Sequence, residues 1–372
     1  MDPVTHAALG AAVGGLILGS RLGRKALLLG AAVALVPDLD VLIAYGDGVS
    51  DFIHHRGFSH SLLVHLVVAT GVAGLLARIP ATRDIGFGRW WAFLFLVLAT
   101  HALLDLLTTY GTQILWPLPV GPLGTASIFV IDPLYTLPLL ITVIAALFYR
   151  YAPRLLVVGL VLSTAYAGAG LGLKVWLDHR LQPALTAMEL DDNPRLLQPT
   201  PFNLLLWRLT VIDDDRFLEA WVGILDEPIR PDFEAFERGH ELEDAALALE
   251  DGQRLQWFAG DFLRFHREQD PAAPDRLVVT DLRLGAPGYF PFAFEIAEEH
   301  NGKWQPITGR RIGEFGFPRG ALRAIGQRIV DPEGAPCIMD LAEPDYAITN
   351  PPPRCRMRQS PAAAPDNLPG AP

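Results

Sequence analysis

The sequence predicts an α-helical polytopic membrane bundle of about six helices, followed by a mixed, mainly β domain outside the membrane. Hydrophobic residues make up 51% of the 372-residue chain, and most long apolar runs lie within residues 1–177. The charge is also divided unevenly. Residues 1–177 carry ten Lys and Arg against eight Asp and Glu, whereas 178–372 carry twenty against thirty-three. An acidic second half argues against nucleic acid as an electrostatic partner.

The helical prediction depends on apolar segments that recur along the first half of the chain. A spanning helix needs about 20 mostly apolar residues. The last four segments reach that length with short extensions, but the first two do so only if His6 and Asp38 enter the helix ends. Asp2-Pro3 and Asp132-Pro133 predict two helix starts, because Asp is a good N-cap and Pro suits the first helical position. The segments are 7–19, 26–37, 61–77, 90–107, 133–149 and 155–177.

The orientation follows from basic residues in short loops, which favour the cytosolic side of a membrane. Loops 21–25, 78–89 and 150–154 carry eight of the ten basic residues of the first half. All three loops lie on one side of a six-helix path. We therefore expect a multi-pass membrane protein whose acidic domain lies on the outer side of the membrane.

Histidines and aspartates gather at four helix ends, all on the predicted outer side. His101 and Asp105 are four residues apart, so they share one helix face. An aspartate near the bilayer centre costs about 2.5–3.5 kcal/mol, which a shared divalent cation would offset. Imidazole and carboxylate together favour zinc or a similar divalent metal, and the number of groups suggests two ions. The candidate ligands are His6, Asp38, Asp40, His55, His60, His101 and Asp105.

Each of these residues also has a structural interpretation when it is taken alone. A single histidine or aspartate at a helix end is commonly a cap or an interface anchor. His54 is interpreted as an exposed neighbour, and His65 points away because it follows His60 by about 500° of helical rotation. For Arg56, a lipid headgroup contact and a fork for a substrate phosphate are equal alternatives.

Five short pieces carry a resemblance to a known family, and they cover about residues 2–140. They are "DPVTHAALGAAVG", "PDLDVL", "HRGFSHSLL", "HALLDLLTTYGTQILWP" and "IDPL". On these pieces the chain resembles the YdjM-like family of inner-membrane proteins, which are described by inference as metal-dependent hydrolases. A membrane helical domain with a metal site in residues 1–177 is what this resemblance implies.

A more distant resemblance is to zinc-dependent phospholipases C and single-strand nucleases. It implies phosphoester hydrolysis as the chemistry. The further downstream His and Glu ligands of that group have no clear counterpart in this chain, so the metal count stays open. The matching ligand positions are His6, Asp38 or Asp40, His60, and His101 with Asp105.

The expected function is that of a membrane-bound, metal-dependent hydrolase. A phosphoester in a lipid or lipid-linked substrate is the expected target, because the site would open at the outer membrane face. Asp38 or Asp40 would bridge ions or accept the proton of water, and Arg56 would hold the phosphate. The alternative is a non-enzymatic membrane adaptor or assembly protein that binds a partner protein and has a structural metal site, closed by four protein ligands.

The second half, residues 178–349, is expected to cover the site or select substrates. Two strand pairs are predicted, around "DDDR" and within "RLVVTDLRLG" and "FPFAFEIAEE", and residues 229–256 are predicted to be helical. Asp281 and Arg283 are expected to form a surface ion pair. The tail 350–372 is proline-rich and predicted to be disordered. Cys337 and Cys355 could pair in an oxidising compartment.

Overall fold

The computed structural model describes residues 1–148, 152–269, 271–287, 289–313, 320–332 and 336–338. Seven helices come first: α1 (Pro3–Leu22), α2 (Lys25–Ala34), α3 (Gly48–His54), α4 (Leu62–Leu76), α5 (Phe87–Asp105), α6 (Pro133–Phe148) and α7 (Pro153–Ala187). Short 3₁₀ turns lie at Pro37–Leu42, Phe58–His60 and Arg83–Ile85. The predicted tail 350–372 and Cys355 lie outside the described residues.

Three of the described helices, α1, α5 and α7, are long and apolar enough to cross a membrane. A fourth span results if Gly48–His60 and Leu62–Leu76, which meet at a 49° bend, count as one broken span. Helices α2 and α6 are shorter. With 10 residues, α2 rises only about 15 Å against a hydrocarbon core of about 30 Å. The apolar helical region is therefore confirmed, but the count of six spans is not.

Helices α1 and α2 pack with their backbones in contact. A Cβ atom added to Gly30 would lie 2.1 Å from the carbonyl oxygen of Gly10, and one added to Gly10 would lie 2.3 Å from the Cβ of Ala34. Small residues allow this close approach, which is how helices commonly associate inside a bilayer. The α1–α2 hairpin therefore depends on glycine at both positions.

The two predicted helix starts are confirmed. Asp2 accepts hydrogen bonds from the backbone N–H groups of Val4 and Thr5. Asp132 accepts from the backbone N–H groups at the start of α6, at 3.0 and 3.4 Å. Its second oxygen accepts from the hydroxyl of Tyr166 at 2.8 Å, so the same cap ties α6 to α7.

Helix α7 has 35 residues, so it rises about 52 Å and exceeds the thickness of the hydrocarbon core. The predicted domain boundary at 177 therefore lies inside this helix. Its last turns bury Leu181 and Leu185 in one core with Leu197 and Leu209 of the sheet that follows. This extension of α7 anchors the second half of the chain to the bundle.

The second half contains two four-stranded antiparallel sheets. The first has the order β1 (Arg195–Pro199), β2 (Leu206–Asp213), β3 (Arg216–Gly223), β4 (Glu234–Glu237). The second has the order β5 (Leu263–Glu268), β6 (Arg276–Asp281), β7 (Ala293–His300), β8 (Lys303–Arg311). Three helices lie around them: α8 (Glu243–Leu247), α9 (Glu250–Ala259) and α10 (Ala321–Val330). Both predicted strand pairs, β2–β3 and β6–β7, are confirmed.

Two predictions for this half need correction. The helix predicted over 229–256 is correct for α8 and for most of α9, but Glu234–Glu237 forms β4 because it pairs with β3. Asp281 and Arg283 do form an ion pair, at 2.7 Å. That pair is not on the surface, because Asp281 is fully buried and the Arg283 guanidinium lies over the ring of Phe258.

The second sheet packs against α3, close to the start of α4. The ring of Phe52 lies 4.7 Å from the ring of Phe258 and 5.1 Å from that of Phe294. These aromatic rings share a core with Val49 and Ile53. Because the residues after α3 carry several candidate ligands, the sheets lie at the same end of the bundle as those residues.

Candidate metal centre

Four helix ends bring five of the predicted ligands together. His6 lies in the second turn of α1, Asp38 in the 3₁₀ turn that follows α2, and His60 directly before α4. His101 and Asp105 lie in the last turns of α5. The five side chains are fully or almost fully buried except for Asp38, which is 23% exposed. The opposite ends of the helices carry the basic turns.

Those basic turns share one end of the bundle. Arg24, in the turn between α1 and α2, donates a hydrogen bond to the carbonyl of Phe148 at the end of α6, at 3.2 Å. The basic turns are therefore separate from the histidine and aspartate cluster, as the sequence predicted.

Five distances among four donor atoms of the cluster lie between 3.0 and 3.5 Å. The Nε2 atom of His60 is 3.0 Å from Nε2 of His101 and 3.1 Å from Oδ2 of Asp105. Asp38 Oδ1 is 3.5 Å from His60 Nε2 and 3.4 Å from His101 Nε2, and His101 Nε2 is 3.5 Å from Asp105 Oδ2. Around a tetrahedral zinc ion with bonds of about 2.0–2.1 Å, neighbouring ligand atoms lie about 3.3–3.4 Å apart. The spacing therefore fits such an ion.

His6 is a further donor at the same place. His6, Asp38, His101 and Asp105 each offer a ligand atom within 4.8 Å of the others, and this group could hold a metal ion. His6 Nε2 lies 3.2 Å from Asp105 Oδ1, and its ring stacks on His101. Because His60 Nε2 lies within 3.5 Å of three of these residues, we favour His60 as the fourth ligand, with His6 beside it.

The buried carboxylate of Asp105 has a histidine beside each of its oxygens. Oδ1 lies 3.2 Å from Nε2 of His6 and 3.3 Å from Arg56 Nη2, and it also contacts the backbone nitrogen of Met1. Oδ2 lies 3.1 Å from Nε2 of His60 and 3.5 Å from Nε2 of His101. Because imidazole nitrogens and carboxylate oxygens are both ligands of divalent metals, a cation could bind between Oδ2 and these two rings.

Asp40 supports the cluster from one layer outside it. Its carboxylate accepts hydrogen bonds from Nδ1 of His55 at 2.8 Å, from the backbone N–H of Arg56 at 3.0 Å and from the hydroxyl of Ser59 at 2.5 Å. The Ser59 hydroxyl also lies 2.9 Å from Nδ1 of His60. Burial raises the pKa of Asp40, but the hydrogen bonds from His55 and Ser59 and the charges of His55 and His60 together outweigh burial and hold the pKa below its ordinary value. Asp40 and His55 contact each other outside the four-atom cluster, and their assignment as direct ligands stays a prediction.

Arg56 joins the cluster to the neighbouring loop. Its backbone has φ +59°, a left-handed conformation that is uncommon outside glycine. The Arg56 carbonyl accepts from the backbone N–H of Gln113 at 3.0 Å, which helps to fix that conformation. Its guanidinium donates to the hydroxyl of Thr108 at 3.0 Å and lies over the ring of Tyr110.

The two remaining histidines of residues 54–65, His54 and His65, contact backbone carbonyls instead of the cluster. Nδ1 of His54 lies 2.9 Å from the carbonyl of Ser50, and Nε2 of His65 lies 2.7 Å from the carbonyl of Ser59. His65 therefore supports the turn that carries His60. Sequence reasoning did not identify Ser59, although it precedes His60 directly.

A cavity of about 970 Å³ adjoins the cluster. Asp40, His55 and Arg56 line it from the helical region, and Arg208 and Trp221 are among the residues that line it from the sheets. The sequence did not predict which residues of the second half line the cavity, because these residues lie on strands that are distant in the sequence.

The comparisons with known proteins agree with the helical region. Residues 1–177 match the family described as YdjM inner membrane protein. The chain is 38% identical over 120 residues to the inner membrane protein YbcI of Escherichia coli (strain K12). The matched region covers 31% of this chain and 66% of YbcI. The chain is also 23% identical over 321 residues to the uncharacterized protein YfhP of Bacillus subtilis (strain 168). This matched region covers 81% of this chain and 92% of YfhP. No solved structure matches.

Proposed function

Because residues 1–177 belong to the YdjM inner membrane protein family, we propose that this membrane protein is a metal-dependent hydrolase of a phosphoester in a lipid or lipid-linked substrate. The observation that carries the proposal is the four-atom cluster of His60, His101, Asp38 and Asp105 beside a large cavity. A cluster of buried imidazoles and carboxylates next to a cavity is typical of a catalytic centre.

The donor set suits zinc, because it combines two imidazoles with two carboxylates and contains no sulfur. When bound, a divalent ion polarises a phosphoryl oxygen and favours ionisation of a water molecule. His6 could replace or supplement one ligand, since it lies within the same group. A second ion remains part of the proposal only if Asp40 and His55 also act as ligands.

Arg56 and the Asp40–His55 pair supply the remaining roles. Arg56 lines the cavity next to Asp105, so it would bind a phosphoryl oxygen of the substrate. Asp40 accepts from Nδ1 of His55 and thereby fixes the ring, while the His55 side chain is 23% exposed and lines the cavity. We therefore assign to Nε2 of His55 the acceptance of a proton from the attacking water, with Asp40 as its positioning residue.

The apolar rim of the cavity supports a lipid substrate. Val41, Ile43, Val130 and Ile131 line the cavity, and each is also exposed, with Val41 at 65%. Exposed apolar side chains at the end of a membrane bundle fit the acyl or prenyl chains of lipids. A lipid could keep its chain at this rim while its phosphate reaches Arg56.

The orientation of the site is a separate proposal, namely that the cluster and the sheets lie on the outer side of the inner membrane. In intact cells, a membrane-impermeant thiol reagent should label Asp192→Cys and should not label Asp84→Cys, with the unsubstituted chain as background. Labelling of Asp84→Cys alone would reverse the orientation.

Hydrolysis in detergent solution tests the enzymatic proposal. The purified protein should release the phosphoester group from at least one member of a panel of phosphatidic acid, phosphatidylglycerol and a polyprenyl phosphosugar. A chelator should abolish release and zinc should restore it. His101→Ala and Asp105→Ala should lower the rate by about 10³-fold or more, and the exposed-site control His54→Gln should retain it.

The same experiment also tests the adaptor alternative. Structural zinc has four protein ligands, so the set of four protein donors favours this alternative. A protein that contains zinc, unfolds when zinc is removed and hydrolyses none of these lipids would support the adaptor. That result would contradict the hydrolase.

A further inference from the structure

We propose that the cavity between the helical region and the two sheets binds an uncharged, polyhydroxyl headgroup, such as a sugar, that is joined to the lipid phosphate. We refer to this cavity, lined by Gln198, Arg208, Trp221 and Arg283 on its sheet side, as the headgroup chamber. The inference rests on the proposed function and names its substrate class.

The size of the headgroup chamber is the first argument. Its volume is about 970 Å³, which is at the upper end of the range of about 300–1,000 Å³ for sites that enclose small organic ligands. A phosphate alone would occupy a small part of that space. The substrate should therefore carry a bulky group beyond its phosphate.

The pairing of two arginines in the sheet wall is the second argument. Arg208 donates to Glu219 at 2.8 Å and also to the carbonyls of Leu282 and Gly285. Arg283 donates to Asp281 at 2.7 Å. Both carboxylates are fully buried. Because their charges are neutralised within the protein, Arg208 and Arg283 favour a neutral polar ligand over a second anion.

The third argument is the kind of side chain that lines this wall. Gln198 accepts from the hydroxyl of Thr109 and donates to the carbonyl of Arg283, so it bridges the helical region and the second sheet. Trp221 and Phe292 add aromatic surface to the same chamber. Aromatic surface combined with fixed polar groups suits a sugar ring, which has apolar faces and hydroxyl groups at its edge.

The chamber is lined by three kinds of group, which is the fourth argument. Val41 and Ile131 of the helical region are apolar and exposed, Arg56 lies 3.3 Å from Asp105 of the metal cluster, and Trp221 belongs to the sheets. A molecule built as lipid chain, phosphate and sugar would have one partner for each of its parts. The second half of the chain would then select the headgroup, while the helical region would bind the phosphate.

Binding of non-hydrolysable probes tests this inference without requiring turnover. Three dodecyl phosphinates, in which phosphorus carries a methyl, a C-glucosylmethyl or a C-glucuronylmethyl group through a second P–C bond, would be titrated into the zinc-loaded full-length protein in detergent by calorimetry; we refer to them as the methyl, glucosyl and glucuronyl probes. The glucosyl probe should bind at least 10-fold more tightly than the methyl and glucuronyl probes. In Trp221→Ala this preference should fall to less than 3-fold, with the Kd of the methyl probe unchanged. The exposed tryptophan of α9 provides the control, Trp257→Ala, which should keep the full preference.

Equal affinities for the methyl and glucosyl probes in the unsubstituted protein would overturn the inference while leaving the phosphoester proposal intact. Tightest binding of the glucuronyl probe would also overturn it, because the sheet wall would then be an anion site. If Trp221→Ala kept the full preference for the glucosyl probe, the headgroup chamber would not be the origin of that preference. Failure of all three probes to bind would contradict both the chamber and the proposed phosphoester site.

Discussion

Buried polar groups are satisfied differently in the two halves of the molecule. In the sheets, the buried acids Glu219, Asp281 and Glu295 each pair with an arginine at 2.7–2.8 Å. In the helical region, buried Asp105 instead lies among three histidines, 3.2 Å from His6, 3.1 Å from His60 and 3.5 Å from His101. Arginine–carboxylate pairs neutralise buried charge, whereas several imidazoles around buried carboxylates form a set of metal ligands. The comparison therefore favours the helical region as the place of the proposed chemistry.

The largest expected effect separates direct ligands from supporting residues. Asp38→Ala should remove the bound zinc, because Asp38 Oδ1 lies within the four-atom cluster. Asp40→Ala should weaken zinc affinity by only about 10–100-fold, as is usual for residues that orient ligands. Competition with a calibrated chelator would measure both affinities. Equal losses in the two variants would place Asp40 among the ligands.

The second effect concerns the paired charges of the sheets. Burial raises the pKa of Glu219, and the Arg208 guanidinium opposes that rise. Arg208→Met should lower the free energy of unfolding by about 3–5 kcal/mol, because it leaves a buried carboxylate unpaired. The double variant Arg208→Met/Glu219→Leu should recover most of this loss. Denaturant titration in detergent measures both, and a double variant as unstable as the single one would contradict the pairing argument.

The third effect tests the close packing of the helical region. Gly30→Leu should destabilise the protein by about 1–3 kcal/mol or more, because its side chain would overlap the Gly10 carbonyl. Gly71→Leu is the matched control, since a Cβ at Gly71 meets no described atom within 4 Å. Thermal unfolding would compare the two. A destabilised Gly71→Leu would show that leucine at any helical glycine is harmful.

The smallest effect concerns a helix cap. Asp132→Ala should cost about 1 kcal/mol of stability through the lost N-cap of α6, with the Tyr166 contact adding to that loss. Asp84→Ala is the control, because the Asp84 side chain is 92% exposed. Both variants should keep their zinc. Zinc loss in Asp132→Ala would instead connect this cap to the metal centre.

The sequence predicted the convergence of histidines and aspartates at helix ends better than it predicted the second half of the chain. His60, His101 and Asp105 could be identified because helix periodicity and the orientation of the helices bring helix ends together. The support from Ser59 and the burial of Asp281 could not be predicted, since both depend on tertiary contacts. Strand β4 was missed because pairing with β3 overrides the local pattern.

The number of membrane spans could not be predicted from hydropathy alone. The apolar run at 26–37 predicted a helix, and α2 forms there, but it ends at Ala34 before a 3₁₀ turn. Asp38 lies in that turn and faces the cluster. The end of α2 at Ala34 therefore shortens the helix but allows Asp38 to reach the cluster.

X-ray absorption spectroscopy of the purified protein would show whether the four-atom cluster binds zinc. We expect one zinc ion per chain, with nitrogen and oxygen ligands only, at about 2.0–2.1 Å, and with multiple scattering from two imidazole rings. In Asp105→Ala the ion should be absent. A sulfur ligand, or a full complement of zinc in Asp105→Ala, would rule out this cluster as the zinc site.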